Sequence, residues 1–222
     1  MALILIIDSA FEQCVVALCN NEEVIAHEES IVQKDHASFL QPAIKKVCDT
    51  ASLNLSSIDA IAVVNGPGSY TGLRVGLASA KGIAYVINKP LLLLNTLNIL
   101  AFTLQKEASL NTGVLFCPMI DARRMEVLTA LYNSELKLLK DYTSVVLDEN
   151  FLCKEKSEFQ VMVGGNGSPK LKNFEGFENI IFGPLTYNVN HVIQCALQKY
   201  KTGNFANLAY SEPFYIKPVY VK

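Results

Sequence analysis

The sequence predicts an α/β protein with two similar lobes, each a mixed sheet covered by helices. Half of the 222 residues are apolar and 18% are charged, which suits a large core and leaves little surface for disorder. Strand-like apolar runs alternate with segments of helical periodicity along the chain. Their order, β-β-β-α-β-α, occurs twice, so we expect an N-terminal lobe over residues 1–105 and a C-terminal lobe over residues 106–222.

Three strand-like runs open the first lobe, at 3–8, 13–19 and 23–29, and the short polar turns between them predict an antiparallel meander. From Asp35, a candidate N-cap, apolar residues recur at helical spacing to about Leu53, with a kink expected at Pro42. The lobe continues with a buried strand at 60–64, a glycine-rich loop at 65–72, a helix at 73–87, a strand at 91–94 and a helix at 96–105.

The second lobe repeats this order. It has strands near 114–120, 125–133 and 136–146, a short helix after Asp148, a strand at 160–164, a helix after Ser168, a strand at 179–182, a helix at about 188–200 and an extended tail over 212–221. The repeat is inferred from the order of elements and not from residue identity.

Charge and cysteine usage narrow the class of protein. Nineteen basic and 21 acidic residues give a net charge of -2, so any RNA is expected to be held mainly by a partner. The six cysteines form no C-x-x-C pair and lie in apolar runs, which predicts buried free thiols and a reducing, cytoplasmic location. The start of the chain lacks a basic region, and residues 82–104 are interrupted by polar residues, so we expect neither a signal peptide nor a membrane association.

The loop Asn65–Gly72 is the most informative local feature, because glycine-rich loops between a strand and a helix can direct N–H groups at an anion. Candidate nucleotide or anion-binding residues are Gly66, Gly68, Ser69, Thr71 and Gly72. The loop does not match a Walker A motif, since Leu73-Arg74 replaces Lys-Ser/Thr after the last glycine. A tight strand-to-helix turn without a ligand is the alternative.

The following helix carries small residues on one stripe: Gly72, Gly76, Ala80 and Ala84. Glycine inside a helix costs about 1 kcal/mol relative to alanine, so a close backbone approach is expected here. The neighbour is either the sheet of the same chain or a helix of another protein, and both remain open. Arg74 near the positive end of the helix dipole favours an acidic or ligand partner, with a solvated arginine as the alternative.

At these residues the chain resembles the TsaB (YeaZ) family. The shared segments are Ile7-Asp8-Ser9, residues 36–42 (HASFLQP), residues 65–82 (NGPGSYTGLRVGLASAKG), Ile120-Asp121-Ala122-Arg123-Arg124 and residues 212–216 (EPFYI). Apart from that last segment, the resemblance covers most of the first 130 residues, and the Gly-Pro-Gly-Ser-aromatic-Thr-Gly stretch is highly specific. Met125 and Ala10 depart from the family pattern, in which a glycine and a small polar residue are common.

The resemblance implies an actin-like fold and a role in the complex that adds threonylcarbamoyl to adenosine 37 of tRNA. In that family the protein is a non-catalytic subunit that pairs with a TsaD-type paralogue, which carries the metal and the transfer chemistry. A TsaE-type ATPase and a TsaC-type enzyme take part, and a homodimer is possible for the isolated chain. No tightly bound cofactor is expected, while ATP can bind at a partner interface.

The family contact with the TsaD-type paralogue is expected through the first two helices. The candidate interface residues are His36, Phe39, Leu40, Leu73, Arg74, Gly76, Leu77 and Ala80.

Two catalytic interpretations compete with the partner role. A glycoprotease-like metallopeptidase needs histidines three or four residues apart on one helix, and His27, His36 and His191 are not so spaced, so no metal site is expected. An actin-fold ATPase or small-molecule kinase is suggested by Asp8 at the end of the first strand. Because residues 9–13 lack a glycine that would let N–H groups approach a phosphate, we expect Asp8 to be a turn residue or an N-cap-like anchor.

A pair of arginines follows the first strand of the second lobe. Arg123 and Arg124 lie close in sequence to Asp121, so they either form an internal ion pair, contact RNA or remain solvated.

Overall fold

The computed structural model describes residues 2–30, 36–108, 113–177 and 179–217. The elements follow one another as β1 (Leu3–Asp8), β2 (Val15–Asn20), β3 (Glu23–Glu29), α1 (His36–Ala51), a 3₁₀ helix (Leu55–Ser57), β4 (Ala60–Gly66), α2 (Tyr70–Ile87), β5 (Leu91–Asn95), α3 (Thr96–Glu107), β6 (Val114–Asp121), β7 (Glu126–Tyr132), β8 (Leu138–Val146), α4 (Cys153–Glu158), β9 (Gln160–Gly164), a second 3₁₀ helix (Ser168–Asn173), β10 (Ile181–Phe182) and α5 (Val189–Lys201).

The chain divides into two compact units. The first comprises Met1–Thr96 and Asn188–Phe214, and the second comprises Leu97–Tyr187 and Tyr215–Lys222. Each unit contains one five-stranded sheet.

The sheet of the first unit has the strand order β3-β2-β1-β4-β5. The first three strands form the predicted antiparallel meander, while β4 runs parallel to both β1 and β5. Every residue of β4 is buried, as expected for a central parallel strand covered on both faces. Residues of α1 and α2 share a hydrophobic core with Leu5, Ile7 and Val63 of this sheet.

The sheet of the second unit has the order β10-β9-β6-β7-β8, which is the same arrangement counted from the other end. Its three consecutive antiparallel strands are again followed by two strands in parallel pairing. The duplication predicted from element order is therefore confirmed, and with it the α/β fold class of two mixed sheets covered by helices.

The predicted division at residues 105 and 106 differs from the observed one. Helix α3 belongs to the second unit, where the Tyr132 hydroxyl donates to Asn98 at 2.5 Å and Leu104 lies against Gly164. Helix α5 belongs to the first unit and packs on β5 and β2. The apolar face of a helix shows that it covers a sheet, but its place in the sequence does not show which sheet.

The start of α2 also differs from the prediction. The helix begins at Tyr70 instead of Leu73, because Ser69 acts as its N-cap and its hydroxyl accepts a hydrogen bond from the N–H of Gly72 at 3.3 Å. Thr71 and Gly72 are thus helical residues and not part of a loop.

Other details can be compared in the same way. The helix expected after Ser168 is a 3₁₀ helix, and the tail has no strand over its described residues 212–217. Helix α1 continues through Pro42, while the proposed N-cap Asp35 lies outside the described residues. Within the described ranges, no helix is long and apolar enough to cross a bilayer.

Candidate functional site

The turn between β1 and β2 begins at Asp8, whose side chain is buried. Its Oδ1 atom accepts a hydrogen bond from the N–H of Ala10 at 3.0 Å, which closes a local turn. The carboxylate therefore acts as the turn residue that the sequence predicts.

Ser9 and Ala10, which directly follow Asp8, fill the space beside Gly68 and Gly72 of the segment 65–72. The N–H of Ser69 donates to the carbonyl of Ala10 at 2.7 Å, and the Ser9 hydroxyl donates to the carbonyl of Gly72 at 2.8 Å. A Cβ atom at Gly68 would lie 2.3 Å from the Ala10 carbonyl oxygen, and one at Gly72 would lie 2.1 Å from that of Ser9. Backbone atoms of Ser9 and Ala10 therefore occupy the space next to Gly72 and Gly68.

The tail of the first unit closes the same region from another side. The N–H of Phe214 donates to the carbonyl of Asn65 at 2.7 Å. Gly66 has a φ of +117°, and a Cβ atom there would lie 2.6 Å from the Phe214 carbonyl oxygen. The two motifs that resemble the family, at 65–72 and 212–216, therefore meet through their backbones.

These contacts change the interpretation of the predicted anion loop. Gly66 and Gly72 are buried, and the N–H groups of Ser69 and Gly72 bond within the chain. The exposed residues Gly68 and Thr71 are the remaining positions for an anion. The structure describes a tight strand-to-helix turn, and nucleotide binding here stays a prediction.

The stripe of small residues on α2 faces the sheet of its own unit. A Cβ atom at Gly76 would lie 2.2 Å from the Ser9 hydroxyl oxygen, and Ala80 and Ala84 belong to the core that includes Ile7. Of the two neighbours left open by the sequence, the sheet of the same chain is the one observed.

Most of the predicted interface residues lie in the interior of the first unit, and their role at an interface stays a prediction. Six of them are buried within the first unit: His36, Leu40, Leu73, Gly76, Leu77 and Ala80. Helical periodicity identifies apolar residues, and in this unit their side chains form the inner faces of α1 and α2. His36 bonds through Nε2 to the carbonyl of Glu12 at 3.1 Å, while Phe39 is half-buried and Arg74 is exposed.

Arg74 contacts an aromatic ring, and the acidic or ligand partner expected from the sequence stays a prediction. Its guanidinium lies over the ring of Tyr70, 4.1 Å from the ring centroid. Because α2 begins at Tyr70, Arg74 also lies in the second helical turn, where the helix dipole acts less strongly.

The outer sides of α1 and α2 form one surface, which we call the outer helix face. Its exposed residues are Ala37, Ser38, Gln41, Pro42, Lys45, Arg74, Ala78, Gly82, Tyr85 and Val86. The two helices are joined by a hydrogen bond from the Gln41 amide to the Ser79 hydroxyl at 2.9 Å. Tyr85 and Val86 are 78% and 81% exposed, so this face carries bulky apolar side chains in water.

The histidines lie in three separate places: His27 is exposed on β3, His36 is buried in α1 and His191 is half-buried in α5. In the described part of the chain, no group of three or more His, Cys, Asp or Glu side chains is arranged to hold a metal ion. That the protein works without its own metal stays a prediction.

In the second unit, Asp121 pairs with Lys170 at 2.7 Å and accepts the N–H of Arg123 at 2.6 Å. Partial burial acts to raise the pKa of Asp121, but these hydrogen bonds outweigh burial and the pKa lies below its usual value. Arg123 and Arg124 are exposed at φ values of 71° and 46°. The ion pair of Asp121 is therefore made with a lysine that the sequence analysis did not consider.

The cysteines are mostly as predicted. Cys14, Cys19, Cys48 and Cys117 are free and buried, and burial raises the pKa of Cys14 to about 12 and that of Cys19 to about 11. Cys195 is half-buried and Cys153 is exposed on α4, so the prediction of buried thiols is wrong for Cys153.

Sequence reasoning missed Ser9, although it lies in a motif that was recognised. A small hydroxyl side chain directly after the end of a buried strand, facing helix glycines four residues apart, is the signal that was available. This pattern predicts a contact between Ser9 and the helix glycines only when β1 and α2 are known to be neighbours.

With this geometry established, known proteins can be compared with the chain. The model of the family described as TsaD, tRNA N6-adenosine threonylcarbamoyltransferase, matches residues 23–211. The chain is 28% identical over 221 residues to the tRNA threonylcarbamoyladenosine biosynthesis protein TsaB of Escherichia coli (strain K12), covering 96% of this chain and 94% of that protein. It is 34% identical over 155 residues to the protein of the same name from Bacillus subtilis (strain 168), covering 68% and 63%.

A solved structure described as YeaZ from Pseudomonas aeruginosa has the same fold. The TM-score is 0.77 with 23% sequence identity, and the match covers 97% of this chain and all of that one.

Proposed function

Because the chain belongs to the tRNA N6-adenosine threonylcarbamoyltransferase (TsaD) family and, within it, to the TsaB (YeaZ) group, we propose that it acts in threonylcarbamoyladenosine biosynthesis as a non-catalytic subunit. The resemblance stated from the sequence motifs is confirmed by these relatives. We assign the transfer reaction to a TsaD-type paralogue that this chain binds and activates. A TsaE-type ATPase is the further partner, and tRNA is held mainly through the complex.

The observation that carries the partner role is the outer helix face. Tyr85 and Val86 lie next to Ala78 and Gly82, and a Cβ atom at Gly82 would have nothing within 4 Å. Small residues let a second helix approach closely, while the two large side chains supply apolar area that water disfavours. A TsaD-type paralogue is the proposed occupant, and a second copy of this chain is the competing occupant when the paralogue is absent.

The turn after Asp8 supports a non-catalytic role. Ser9 and Ala10 fill the space against Gly68 and Gly72, where an actin-fold kinase or ATPase would need room for phosphates. That alternative is not favoured, and neither is a metallopeptidase. We propose that ATP, where it is used, binds at an interface with a partner.

Binding would activate the partner by favouring one of its conformations. A tenfold preference for that conformation corresponds to about 1.4 kcal/mol, which one interface can supply.

The test of the surface is V86D, which places a charge among the exposed apolar side chains of the proposed contact. We expect affinity for the TsaD-type partner, measured by isothermal titration calorimetry, to fall at least about tenfold. The matched control is V146D, because Val146 is 67% exposed on β8 of the second unit and should leave affinity unchanged. Circular dichroism must show both variants folded. Equal affinity for V86D and the unaltered chain would remove the outer helix face from the proposal.

The test of the function omits each component in turn from a reaction containing tRNA, ATP and the TsaC-, TsaD- and TsaE-type proteins. Mass spectrometry of nucleosides should show loss of modification when this chain is left out. An unchanged rate without it, or turnover by this chain with the TsaD-type protein absent, would contradict the proposal.

A further inference from the structure

We propose that the first unit contains a binding site for one small anionic group, a phosphate or a carboxylate, in a pocket at the end of α5 with Lys199 as its cation. The pocket has a volume of about 370 Å³ and is lined by residues that include Leu93, Lys199, Asn207, Tyr210 and Glu212. It is separate from the outer helix face and does not depend on the proposed function.

Lys199 is unusual among the lysines of the structure. Four other lysines of the described chain are half-buried, and each has a partner: Lys81 with backbone carbonyls, Lys89 with Asp59, Lys156 with a carbonyl and an aromatic ring, and Lys170 with Asp121. Lys199 is half-buried too, yet within the described residues its ammonium has no hydrogen bond and no carboxylate within 4.0 Å.

An unpaired ammonium of this kind attracts an anion. Burial lowers the pKa of Lys199, since the charged form loses hydration that nothing in the described chain replaces. An anion in the pocket would supply the missing charge and restore the protonated form.

The part of the pocket lining formed by residues 207–211 is held in one conformation by hydrogen bonds before any ligand binds. Asn207 Oδ1 accepts the N–H groups of Ala209 and Tyr210 at 3.0 and 3.3 Å, and the Ser211 hydroxyl donates to the Asn207 carbonyl at 2.6 Å. Lys81 of α2 donates to the carbonyls of Ala209 and Ser211 at 3.3 and 3.0 Å. A lining fixed in this way binds a ligand without a large loss of conformational entropy.

The same lining indicates how the ligand is oriented. Because the Oδ1 atom of Asn207 is used by the turn, its Nδ2 amide is the part of the side chain left to donate to a bound anion. Leu93 offers an apolar surface within the pocket, and the ring of Tyr210 is exposed at its edge.

Charge limits the class of ligand. One lysine with one carboxylate, that of Glu212, in the same lining suits a single anionic group and opposes a triphosphate. The volume is near the lower end for small-molecule sites, about 300 to 1,000 Å³. A phosphate monoester and a carboxylate share the required chemistry.

The experiment measures lysine ionisation in the isolated full-length chain after reductive methylation with ¹³C-formaldehyde. Inorganic phosphate and sodium acetate are added in separate NMR titrations at constant ionic strength, with sodium chloride as the reference salt. We expect the Lys199 signal to titrate at lower pH than the other lysines, and to shift saturably upward in pKa with at least one of the two anions. Tighter binding of phosphate by about tenfold identifies a phosphate site, and comparable or tighter binding of acetate identifies a carboxylate site.

Lys201 is the matched control, because it is exposed in the last turn of the same helix. Because K199Q and K199R have no lysine signal at this position, binding to the variants is followed by the backbone amide shifts of Ala209 and Tyr210 in the same titrations. K199Q should lose the saturable shifts, K199R should retain them, and K201Q should leave them unchanged. E212Q should tighten anion binding by about threefold, since it removes a like charge from the pocket. The proposal is overturned if Lys199 responds to both anions no more than Lys201 does, or if K199Q, folded by circular dichroism, keeps the saturable amide shifts.

Discussion

Both units have an Ile-Asp pair at the end of the first strand of their sheet, but the surroundings of the aspartate differ between the units. The first strand of each sheet ends in Ile-Asp, at Asp8 in β1 and at Asp121 in β6, and each aspartate accepts the N–H of the residue two positions on. In the first unit that aspartate is buried, whereas in the second it is exposed and paired with Lys170. The duplication is therefore visible in side-chain contacts as well as in strand order.

The segments that follow the fourth strand show the same contrast. In both units a glycine-rich turn approaches the end of the first strand: the N–H of Ser69 bonds to Ala10, and the N–H of Gly167 bonds to Met119 at 2.9 Å. In the first unit the turn leads into the 18 residues of α2, but in the second it leads into a 3₁₀ helix of six. Long helices with an outer face free for a partner are thus a feature of the first unit, which is why we place docking there.

The largest expected effect comes from filling the close approach in the first unit. G72A would place a Cβ atom 2.1 Å from the Ser9 carbonyl oxygen, so unfolding free energy should fall by about 3 kcal/mol. G82A adds the same methyl group to the same helix where nothing lies within 4 Å, and should stabilise the protein by about 1 kcal/mol. Urea unfolding followed by circular dichroism measures both. Similar stabilities for the two variants would show that the turn is loosely packed in solution.

A smaller effect is expected from S9A, which removes the buried hydrogen bond to the Gly72 carbonyl and makes the position like Ala122 of the second unit. We expect a loss of about 1 kcal/mol in the same measurement. In the second unit the exposed Asn166 side chain accepts the N–H of Asp121, and N166A should cost less than about 0.5 kcal/mol because water can replace it. Equal losses would mean that burial does not distinguish the two turns.

The smallest effect concerns pH. The folded-state pKa of Asp121 is below its usual value, so the ion pair with Lys170 stabilises the fold above the unfolded pKa and this contribution is lost as pH falls through the folded value. Since the Asp121 side chain is 41% exposed, the contribution should be about 0.5 kcal/mol or less.

Thermal unfolding at several pH values from neutral down to about 3 should show a weaker pH dependence for D121N than for the unaltered chain. K170M should also weaken the pH dependence, because it removes the cation that lowers the pKa of Asp121, although the N–H of Arg123 still donates to that carboxylate. A pH dependence unchanged in both variants would show that the pair does not form in solution.

Much of the fold could be predicted because its signals are local. Uninterrupted apolar runs such as β4 indicate a buried strand, and the order of such runs was enough to show the repeat. The start of α2 was missed because Ser69 stands among glycines and a proline, which were interpreted as loop residues although the serine is a good N-cap. The sheet that α3 and α5 each cover was missed because that choice is made by distant parts of the chain.

The predicted interface residues stay a prediction, and they differ from the residues of the outer helix face for a specific physical reason. Residues such as Leu40 and Leu77 were selected for the periodicity that buries them, whereas a docking surface consists of the residues that interrupt this periodicity. Tyr85 and Val86 are large apolar residues on the polar side of α2, and that mismatch was visible in the sequence. The lack of an ion partner for Lys199 could not be predicted from the sequence, because it depends on which carboxylates the fold brings close to this lysine.

The first unit is assembled from two separate stretches of chain, and this has a consequence for synthesis on the ribosome. Its sheet can form once β5 has emerged, but α5 and the hydrogen bond from Phe214 to Asn65 need residues that are made about 95 to 120 positions later. At about 5–20 residues per second this is a delay on the order of 10 s. During that interval the apolar surface on β2 and β5 that α5 will cover is exposed to water, so the first unit is completed only after most of the second unit has been made.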